Sequence, residues 1–286
     1  MPGLVHRLYR AMLTRYPFPR GQGRIIDRTP LRRLRFDEAR LTVTTSDGFA
    51  MNVIPNDHIG RHLYLTGQFD RTIVEVLLHF ARRGDCMWDI GANIGYVSCC
   101  LLHRVPALRV VAIEPLSVCY ELLVENLANV GGQRASALNV AISDSEGEAT
   151  MIVNPRNIGA SWLERSGEAS SAVGKPRITV KTIDGDRLVR ESGLGCVDLI
   201  KIDVEGHEDV VLSTLTPVIK RDRPRAIVFE HRGDLCSGSS SIRHTFESLD
   251  YQLFGIRKSL TRWWLVSLAG LARSGRLAHD YVATPR

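Results

Sequence analysis

The chain has 286 residues, of which 44% are hydrophobic and 24% charged. These values are ordinary for one large globular domain or two small ones, and they exclude a disordered, collagen-like or coiled-coil chain. The formal net charge of +6 lies mostly toward the two ends, so the middle is acidic by comparison. A nucleic-acid enzyme needs positive charge around its cleft, and this distribution therefore argues against a nucleic-acid substrate.

The first predicted element is a basic amphipathic helix. Apolar residues recur at helical spacing over positions 4–13 with arginines between them, and two prolines end the pattern. Two interpretations are open: a helix that caps the fold or contacts a second copy, and a helix that rests on an anionic membrane surface. A β-hairpin is predicted over 41–54. We interpret residues 1–68 as an N-terminal extension.

The sequence predicts neither a secretory signal nor a membrane span. Arginines interrupt the N-terminal stretch, and the most apolar run, Trp263 to Ala272, has about half the length that a span requires. We therefore expect a cytoplasmic protein. The N-terminal helix is its one candidate for peripheral contact with the inner face of the membrane.

From Phe69 onward, short apolar strands alternate with amphipathic helices. This alternation predicts an α/β fold with a mostly parallel sheet that helices cover on both faces. A polar stretch at 147–182 interrupts the pattern. We interpret it and residues 257–279 as insertions into a domain spanning 69–286. The predicted strands are 86–90, 108–113, 137–142, 197–202, 225–229, 251–256 and 280–283.

Acidic residues follow five successive predicted strands. In an open α/β sheet the ligand binds beyond the carboxyl ends of the strands, so these side chains are expected to share one site. The residues at the strand ends are Asp89, Glu114, Ser143 with Asp144, Asp203, and Glu230 with His231.

The turn after the first strand reads Asp89-Ile-Gly91-Ala-Asn93-Ile-Gly95. Glycines there permit a tight turn and close approach to a ligand. A dinucleotide fingerprint would place glycine at Asn93 and again at Tyr96, so the turn does not favour a pyrophosphate ligand. The carboxylate of Asp89 suits a cationic ligand instead. Glu114 can accept hydrogen bonds from the two hydroxyls of a ribose, which nicotinamide dinucleotides and S-adenosylmethionine share.

The segment Ile200–Glu208 places a lysine, several carboxylates and a histidine around one strand-to-helix turn. Acidic residues at a helix start are favoured by the helix dipole, which accounts for Glu208. The dipole does not account for Lys201 and Asp203 within an apolar strand. Burial of such charges without partners costs several kcal/mol, which indicates a function for them.

These motifs together resemble the FkbM family of methyltransferases. The similarity extends from about Phe69 to His231, and Tyr281–Pro285 is similar to the terminal strand of the family. It implies a Rossmann-like class I methyltransferase fold with an antiparallel last strand, S-adenosylmethionine as donor, and O-methylation of a sugar, glycolipid or specialised metabolite. The segments that carry it are Asp89–Gly95, Glu114–Pro115, Ala141–Asp144, Thr182–Asp184 and Ile200–Glu208.

The expected donor site has three parts. The first turn lines the methionine end, the second strand end holds the ribose, and the third strand end contacts the adenine. The lysine of the fourth strand holds the methionine carboxylate, orients its neighbouring aspartate, or serves as a structural ion-pair partner; these three interpretations remain open. The donor-site candidates are Asp89, Gly91, Asn93, Gly95, Glu114, Ser143, Asp144 and Lys201.

An alcohol must lose its proton to accept a methyl group, so the acceptor side requires a general base or a metal ion. Asp203 is the first candidate for the base, Glu205 and His207 come second, and Glu230 and His231 are further candidates. Asp203 and Glu230 could also hold a divalent cation such as Mg²⁺, although no ligand spacing in the sequence demands one.

Three alternatives remain open. A nicotinamide-dependent oxidoreductase would use the same fold, but two of its fingerprint glycines are absent. A non-catalytic scaffold would tolerate the loss of Asp203 and Glu230. A nucleic-acid methyltransferase would carry an N/D-P-P-Y/F motif, which the sequence lacks.

Overall fold

The computed structural model describes residues 3–155, 157–164 and 174–286. Much of the Ser- and Gly-rich part of the first predicted insertion lies outside these ranges. The helices in the described part of the chain are α1 Leu4–Thr14, α2 Gln22–Arg28, α3 His58–Thr66, α4 Arg71–Phe80, α5 Tyr96–Arg104, α6 Ser117–Val130, α7 Gly185–Ser192, α8 Glu208–Asp222, α9 Ser241–Ser248 and α10 Leu268–Ser274.

The strands form one large sheet, one small sheet and one hairpin. They are β1 Leu41–Thr44, β2 Ala50–Val53, β3 Cys86–Ile90, β4 Arg109–Ile113, β5 Ala135–Leu138, β6 Ala141–Ile142, β7 Gly147–Ile152, β8 Trp162–Leu163, β9 Arg177–Ile183, β10 Leu199–Ile202, β11 Ala226–Glu230, β12 Tyr251–Lys258, β13 Trp263–Ser267 and β14 Asp280–Pro285.

The large sheet has the strand order β13-β12-β14-β11-β10-β3-β4-β5. The five strands from β11 to β5 are parallel, and β14, β12 and β13 pair antiparallel. The chain runs outward from β3 to β5 and then returns to β10 on the other side of β3. Ligands bind at such a switch point in open α/β sheets. The predicted Rossmann-like fold with an antiparallel last strand is confirmed.

The predicted third strand, 137–142, was wrong in its extent. The sheet strand β5 ends at Leu138, while β6 pairs with β9 in the separate small sheet of order β6-β9-β7-β8. Asn139 makes the break possible, because its side-chain amide donates to the carbonyl oxygens of Glu114 and Pro115 at 2.8 and 3.0 Å. The carboxyl end of β5 therefore lies about four residues earlier than the sequence pattern indicated.

The N-terminal residues pack onto the central sheet's helices. Leu13 of α1, Ile26 of α2 and Leu63 of α3 belong to the same buried cluster as Val76 and Leu101. The predicted hairpin is confirmed as β1–β2. No helix in the described part of the chain is long and apolar enough to cross a membrane.

The approach of α3 to the hairpin depends on Gly60. A Cβ at this position would overlap the backbone carbonyl oxygen of Ile54, which cannot rotate away as a side chain can. We predict that Gly60→Ala lowers the free energy of unfolding by at least about 2 kcal/mol, despite the better helix propensity of alanine. Urea denaturation measures the change. Gly195→Ala is the matched control, since nothing lies within 4 Å of its Cβ, and equal effects of the two variants would contradict the packing argument.

Candidate functional site

A buried lysine joins the two strands at the switch point. Lys201 of β10 is the register partner of Asp89 of β3. Its Nζ lies 3.2 Å from Asp89 Oδ1 and 3.5 Å from Asp203 Oδ2, and it donates to the carbonyl oxygen of Gly91 at 2.7 Å. Asp89 is fully buried, and its Oδ2 accepts a hydrogen bond from Ser98 Oγ at 2.6 Å. These contacts supply the partners that the two buried charges need.

The charge state of Lys201 follows from this geometry. Burial lowers the pKa of the ammonium, but the carboxylates of Asp89 and Asp203 outweigh burial and raise the pKa overall. Lys201 is therefore protonated at neutral pH. The structure places Asp89 behind the wall of the cavity, where it holds Lys201.

The turn from Gly91 to Gly95 uses all of its backbone N–H groups internally. Gly91 and Ala92 donate to the Ile113 carbonyl, and Gly95 donates to Ala92. The N–H of Asn93 donates to Glu114 Oε2 at 3.0 Å, and the N–H of Ile94 donates to Asn93 Oδ1 at 2.9 Å. A pyrophosphate-binding turn must offer free N–H groups to its ligand, so this turn does not suit a dinucleotide.

Two features hold the turn and its neighbour in place. A Cβ at Gly91 would overlap the carbonyl oxygen of Asp203, so only glycine permits this approach of the two strand ends. Glu114 is buried, and its two carboxylate oxygens accept from the backbone N–H groups of Asn93 and Leu116 at 3.0 and 2.9 Å. Burial raises the pKa of Glu114 to about 7, although these two hydrogen bonds lower it in part.

Gly91, Asn93, Glu114 and Asp203 line one cavity of about 310 Å³ at the carboxyl edge of the sheet. This volume is in the range of small-molecule sites. The insertion contributes one side of the wall through β7, β8 and the residues between them, including Ser161. Of the strand-end residues predicted from the sequence, Glu114, Asp203 and Glu230 line this one cavity.

Three carboxylates form a cluster in this cavity. One oxygen atom each from Asp203, Glu205 and Glu230 lies within 4.8 Å of the others. Arg232 contacts two of them, with Nη2 at 2.6 Å from Glu205 Oε2 and Nε at 3.1 Å from Glu230 Oε1. Oxygen ligands at this spacing can bind a divalent cation. The guanidinium of Arg232 already supplies positive charge to two of the three.

Two members of the cluster, Glu205 and Glu230, have raised pKa values. Burial and the nearby carboxylates of Glu230 and Asp203 raise the pKa of Glu205 to about 7. Burial and Asp203 also raise the pKa of Glu230. A carboxylate with a pKa near neutrality can accept a proton from a substrate at neutral pH.

The remaining predicted residues lie around the cavity or outside it. His207 lines the cavity, and its Nε2 is 3.4 Å from Ser143 Oγ. Ser143 itself and the exposed Asp144 are not among the lining residues. His231 lines a neighbouring cavity between β11 and α9. Gly95 packs against α6.

The structure adds residues that the sequence reasoning missed. Asp70, Lys258 and Asp280 line the cavity, with Lys258 Nζ at 3.5 Å from Asp280 Oδ2. Burial and Asp280 raise the pKa of Asp70 to about 7. Asp280 is the register partner of Glu230. Since β14 is antiparallel, its first residue lies at the edge where the parallel strands end, and that rule could have identified Asp280.

The methyltransferase FkbM domain matches residues 89–253, which is more than half of the chain. The chain belongs to the FkbM methyltransferase domain family. The resemblance predicted from the sequence is thereby confirmed, and the matched residues include both the first turn and the carboxylate cluster.

Two curated relatives share part of this sequence. The hexuronic acid methyltransferase AglP of Haloferax volcanii is 30% identical over 164 residues, covering 57% of this chain and 63% of that protein. The methyltransferase sdnD of Sordaria araneosa is 32% identical over 149 residues, covering 43% of this chain and 58% of that protein. The chain thus spans less than two thirds of the length of either relative.

Solved structures match more weakly. The O-methyltransferase of Bacillus cereus, solved in complex with SAH, has a TM-score of 0.41 and 14% identity, covering 75% of this chain and 80% of that one. The strand order and the FkbM match therefore carry the fold assignment.

Removal of one member of the buried ion pair should leave the other as a buried charge without a partner. We predict that Lys201→Met lowers the free energy of unfolding by roughly 3–5 kcal/mol, because Asp89 then lacks its cation. The double variant Asp89→Asn/Lys201→Met should lose less than the sum of the two single changes. Urea denaturation of all four proteins measures the coupling. Strict additivity of the two single changes would refute the coupling between Asp89 and Lys201. The control is Arg187→Met in the exposed Arg187–Glu191 pair, which should leave the unfolding midpoint unchanged.

Proposed function

We propose that this FkbM-family protein is an S-adenosylmethionine-dependent O-methyltransferase of a sugar, glycolipid or specialised metabolite. The observation that carries the proposal is that Glu114, the first turn and the carboxylate cluster line one cavity. We infer that the donor and the acceptor hydroxyl meet in this cavity, because transfer of a group between them requires proximity.

The donor side fits S-adenosylmethionine better than a dinucleotide. The two carboxylate oxygens of Glu114 each accept one backbone hydrogen bond and retain capacity for the two ribose hydroxyls. The internally bonded N–H groups of 91–95 offer nothing to a pyrophosphate. S-adenosylmethionine, when bound, supplies a methyl group on a cationic sulfonium.

The acceptor side requires a base, and we assign that role to Asp203. Arg232 contacts Glu205 and Glu230. Among the described residues Asp203 has one cation within 4.0 Å, Lys201 at 3.5 Å, and keeps about a third of its side chain exposed. Asp203 accepts the proton of the acceptor hydroxyl. Glu205, whose pKa is about 7, can share that proton.

The name of one relative supports a sugar-type acceptor. AglP is named a hexuronic acid methyltransferase, and we infer a related hydroxyl acceptor here. The acidic cluster also supports an acceptor whose reacting hydroxyl has no phosphate directly beside it, because three carboxylates would repel a phosphate placed against them.

Donor binding should depend on pH through Glu114. The ionised carboxylate accepts both ribose hydroxyls, so we predict that affinity for S-adenosylhomocysteine rises as pH increases through about 7. Glu114→Gln should bind roughly tenfold to a hundredfold more weakly and without this pH dependence. Calorimetry at several pH values measures both effects. Glu205 also has a pKa of about 7, so Glu205→Gln is the control and should keep the pH dependence of donor binding. If Glu205→Gln loses this dependence, the titrating group is Glu205 and not Glu114.

Methyl transfer itself tests the proposed function. Purified protein is incubated with methyl-labelled S-adenosylmethionine and cell extract divided into soluble, lipid and macromolecular fractions. We expect label in the soluble or lipid fraction, and Asp203→Asn should reduce the rate roughly a hundredfold to ten-thousandfold while donor binding persists. Transfer should survive chelation, since Arg232 already provides positive charge.

The control for this assay is Asp186→Asn, an exposed acid on α7, which should transfer at the wild-type rate. Label confined to nucleic acid would contradict the proposed acceptor class. Full activity of Asp203→Asn would show that Asp203 is not the general base. Loss of transfer on chelation would indicate that the carboxylate cluster binds a metal ion.

We also propose that α1 rests on an anionic membrane surface. Leu4, Val5, Leu8 and Met12 are 55–67% exposed, while Leu13 anchors the helix to the core. The helix carries arginines and no acidic residue. An apolar stripe with basic flanks is complementary to anionic lipid.

Sedimentation with vesicles tests this contact. We predict binding to phosphatidylcholine vesicles that contain phosphatidylglycerol, and at least about tenfold weaker binding by Leu4→Ser/Leu8→Ser. Val118→Ser/Val124→Ser removes two exposed valines from α6 and should bind normally. Equal binding by both double variants, or none by the wild type, would exclude α1 as a membrane contact.

A further inference from the structure

A second cavity, which we call the arginine cavity, lies between the 3₁₀ helix Pro30–Arg33 and α3. Among the described residues that line it, four are arginines and Asp27 is the one acid. The lining therefore carries an excess of three formal positive charges. The four arginines are Arg32, Arg33, Arg35 and Arg61.

Arg61 is the most constrained of these side chains. It is 7% exposed, and its Nε and Nη2 donate to the carbonyl oxygens of Leu34 and Asn56 at 3.3 and 2.8 Å. Burial lowers the pKa of Arg61, Asp57 raises it in part, and the nearby guanidinium of Arg35 lowers it further. A buried guanidinium beside another guanidinium is stabilised by an anion between them.

The chain provides little compensation for this charge. Within 3–155, 157–164 and 174–286, none of the four arginines has a carboxylate oxygen within 4.0 Å. The one lining acid, Asp27, is directed to histidines: its Oδ1 lies 2.9 Å from His62 Nε2 and 3.8 Å from His58 Nδ1. The surplus of positive charge is therefore available to a ligand.

The arginine cavity adjoins the cavity that holds the carboxylate cluster. His58 lines both of them. Pro155 lines the arginine cavity, while Asn157, Ile158 and Gly159 line the other. The N–H of Ile158 donates to Asp57 Oδ1 at 2.8 Å, which fixes this shared wall against the start of α3. One elongated ligand can therefore contact both cavities.

We propose that the arginine cavity binds a diphosphate group of the methyl acceptor, whose hydroxyl enters the neighbouring cavity. This inference rests on the proposed methyl transfer. Guanidinium groups bind phosphate oxygens in a bidentate manner, and several of them together match a ligand with more than one negative charge. A single carboxylate would leave most of the lining charge unpaired. The same diphosphate chemistry occurs in sugar nucleotides and in lipid-linked sugars.

Calorimetric titration with inorganic pyrophosphate tests the site. We expect the wild type to bind, and Arg32→Gln/Arg33→Gln to bind at least about tenfold more weakly, because it loses two of the four guanidinium groups that can donate charge-assisted hydrogen bonds to the ligand. The matched control is Arg24→Gln/Arg28→Gln, which removes two exposed arginines from α2 outside the cavity lining. It should bind pyrophosphate like the wild type. Equal losses in both variants, or no binding by the wild type, would overturn the inference.

Titration of each protein with S-adenosylhomocysteine separates this inference from the proposed function. All three proteins should bind it equally. If they do but pyrophosphate binding fails, the arginine cavity is wrong and the methyltransferase proposal stands. If none binds S-adenosylhomocysteine, the proposed function fails, and the assignment of the diphosphate to a methyl acceptor fails with it.

Two further probes identify the source of the diphosphate. One is uridine diphosphate in solution, and the other is phosphatidylcholine vesicles that carry a polyprenyl diphosphate. Arginine-dependent binding of the first supports a sugar nucleotide, and arginine-dependent binding of the second supports a lipid-linked acceptor. Binding of either that the double variant retains in full would count against the site.

Discussion

The ion pair between Asp89 and Lys201 is the constraint on which the site depends. It couples β3 and β10 at the point where the chain reverses its direction across the sheet. Because both groups are buried, the pair is stable only if the remaining polar atoms also have hydrogen-bond partners. Ser98 donates to Asp89, and the carbonyl oxygen of Gly91 accepts from Lys201. The turn after β3 and the carboxylate after β10 are thereby fixed relative to each other. A donor and an acceptor bound at these two strand ends would meet in a defined orientation.

Acidic and basic side chains lie in different parts of the molecule. The carboxyl edge of the sheet collects acids, because successive strand ends converge there, while arginines lie in the N-terminal extension and around α3. Acidic and basic cavities consequently share one wall. Under the proposed function, the acidic side takes the hydroxyl whose proton must leave, and the basic side takes the charged part of the same molecule. The apolar stripe of α1 belongs to this same extension.

Much of the central architecture was predictable because its signals are local. Strand and helix periods gave the α/β fold, and the rule that ligands bind at carboxyl ends of strands brought Glu114, Asp203 and Glu230 together correctly. The position of Asp89 was predictable, but its burial was not, since a strand-end acid looks the same in sequence whether it faces a ligand or a lysine. The end of β5 was misplaced, because the apolar pattern continues through Ile142 into another sheet.

The other contributions to the site depend on contacts between distant segments. Asp70 and Lys258 reach the cavity from a helix start and an edge strand, and no local period marks them. The arginine cavity needs α3 beside the 3₁₀ helix, where Arg61 of α3 donates to the carbonyl oxygen of Leu34, the residue after that helix. Sequence patterns report which face of an element is buried. They do not report which two elements share a wall.

A crystal structure with S-adenosylhomocysteine tests the central claim most directly. We predict that the ribose hydroxyls of the bound ligand contact Glu114 and that its amino-acid end lies at the turn of Gly91 and Asn93. Its sulfur should face the carboxylate cluster of Asp203, Glu205 and Glu230. Density for the ligand elsewhere, or a nicotinamide dinucleotide that occupies this cavity while S-adenosylhomocysteine does not bind, would contradict it.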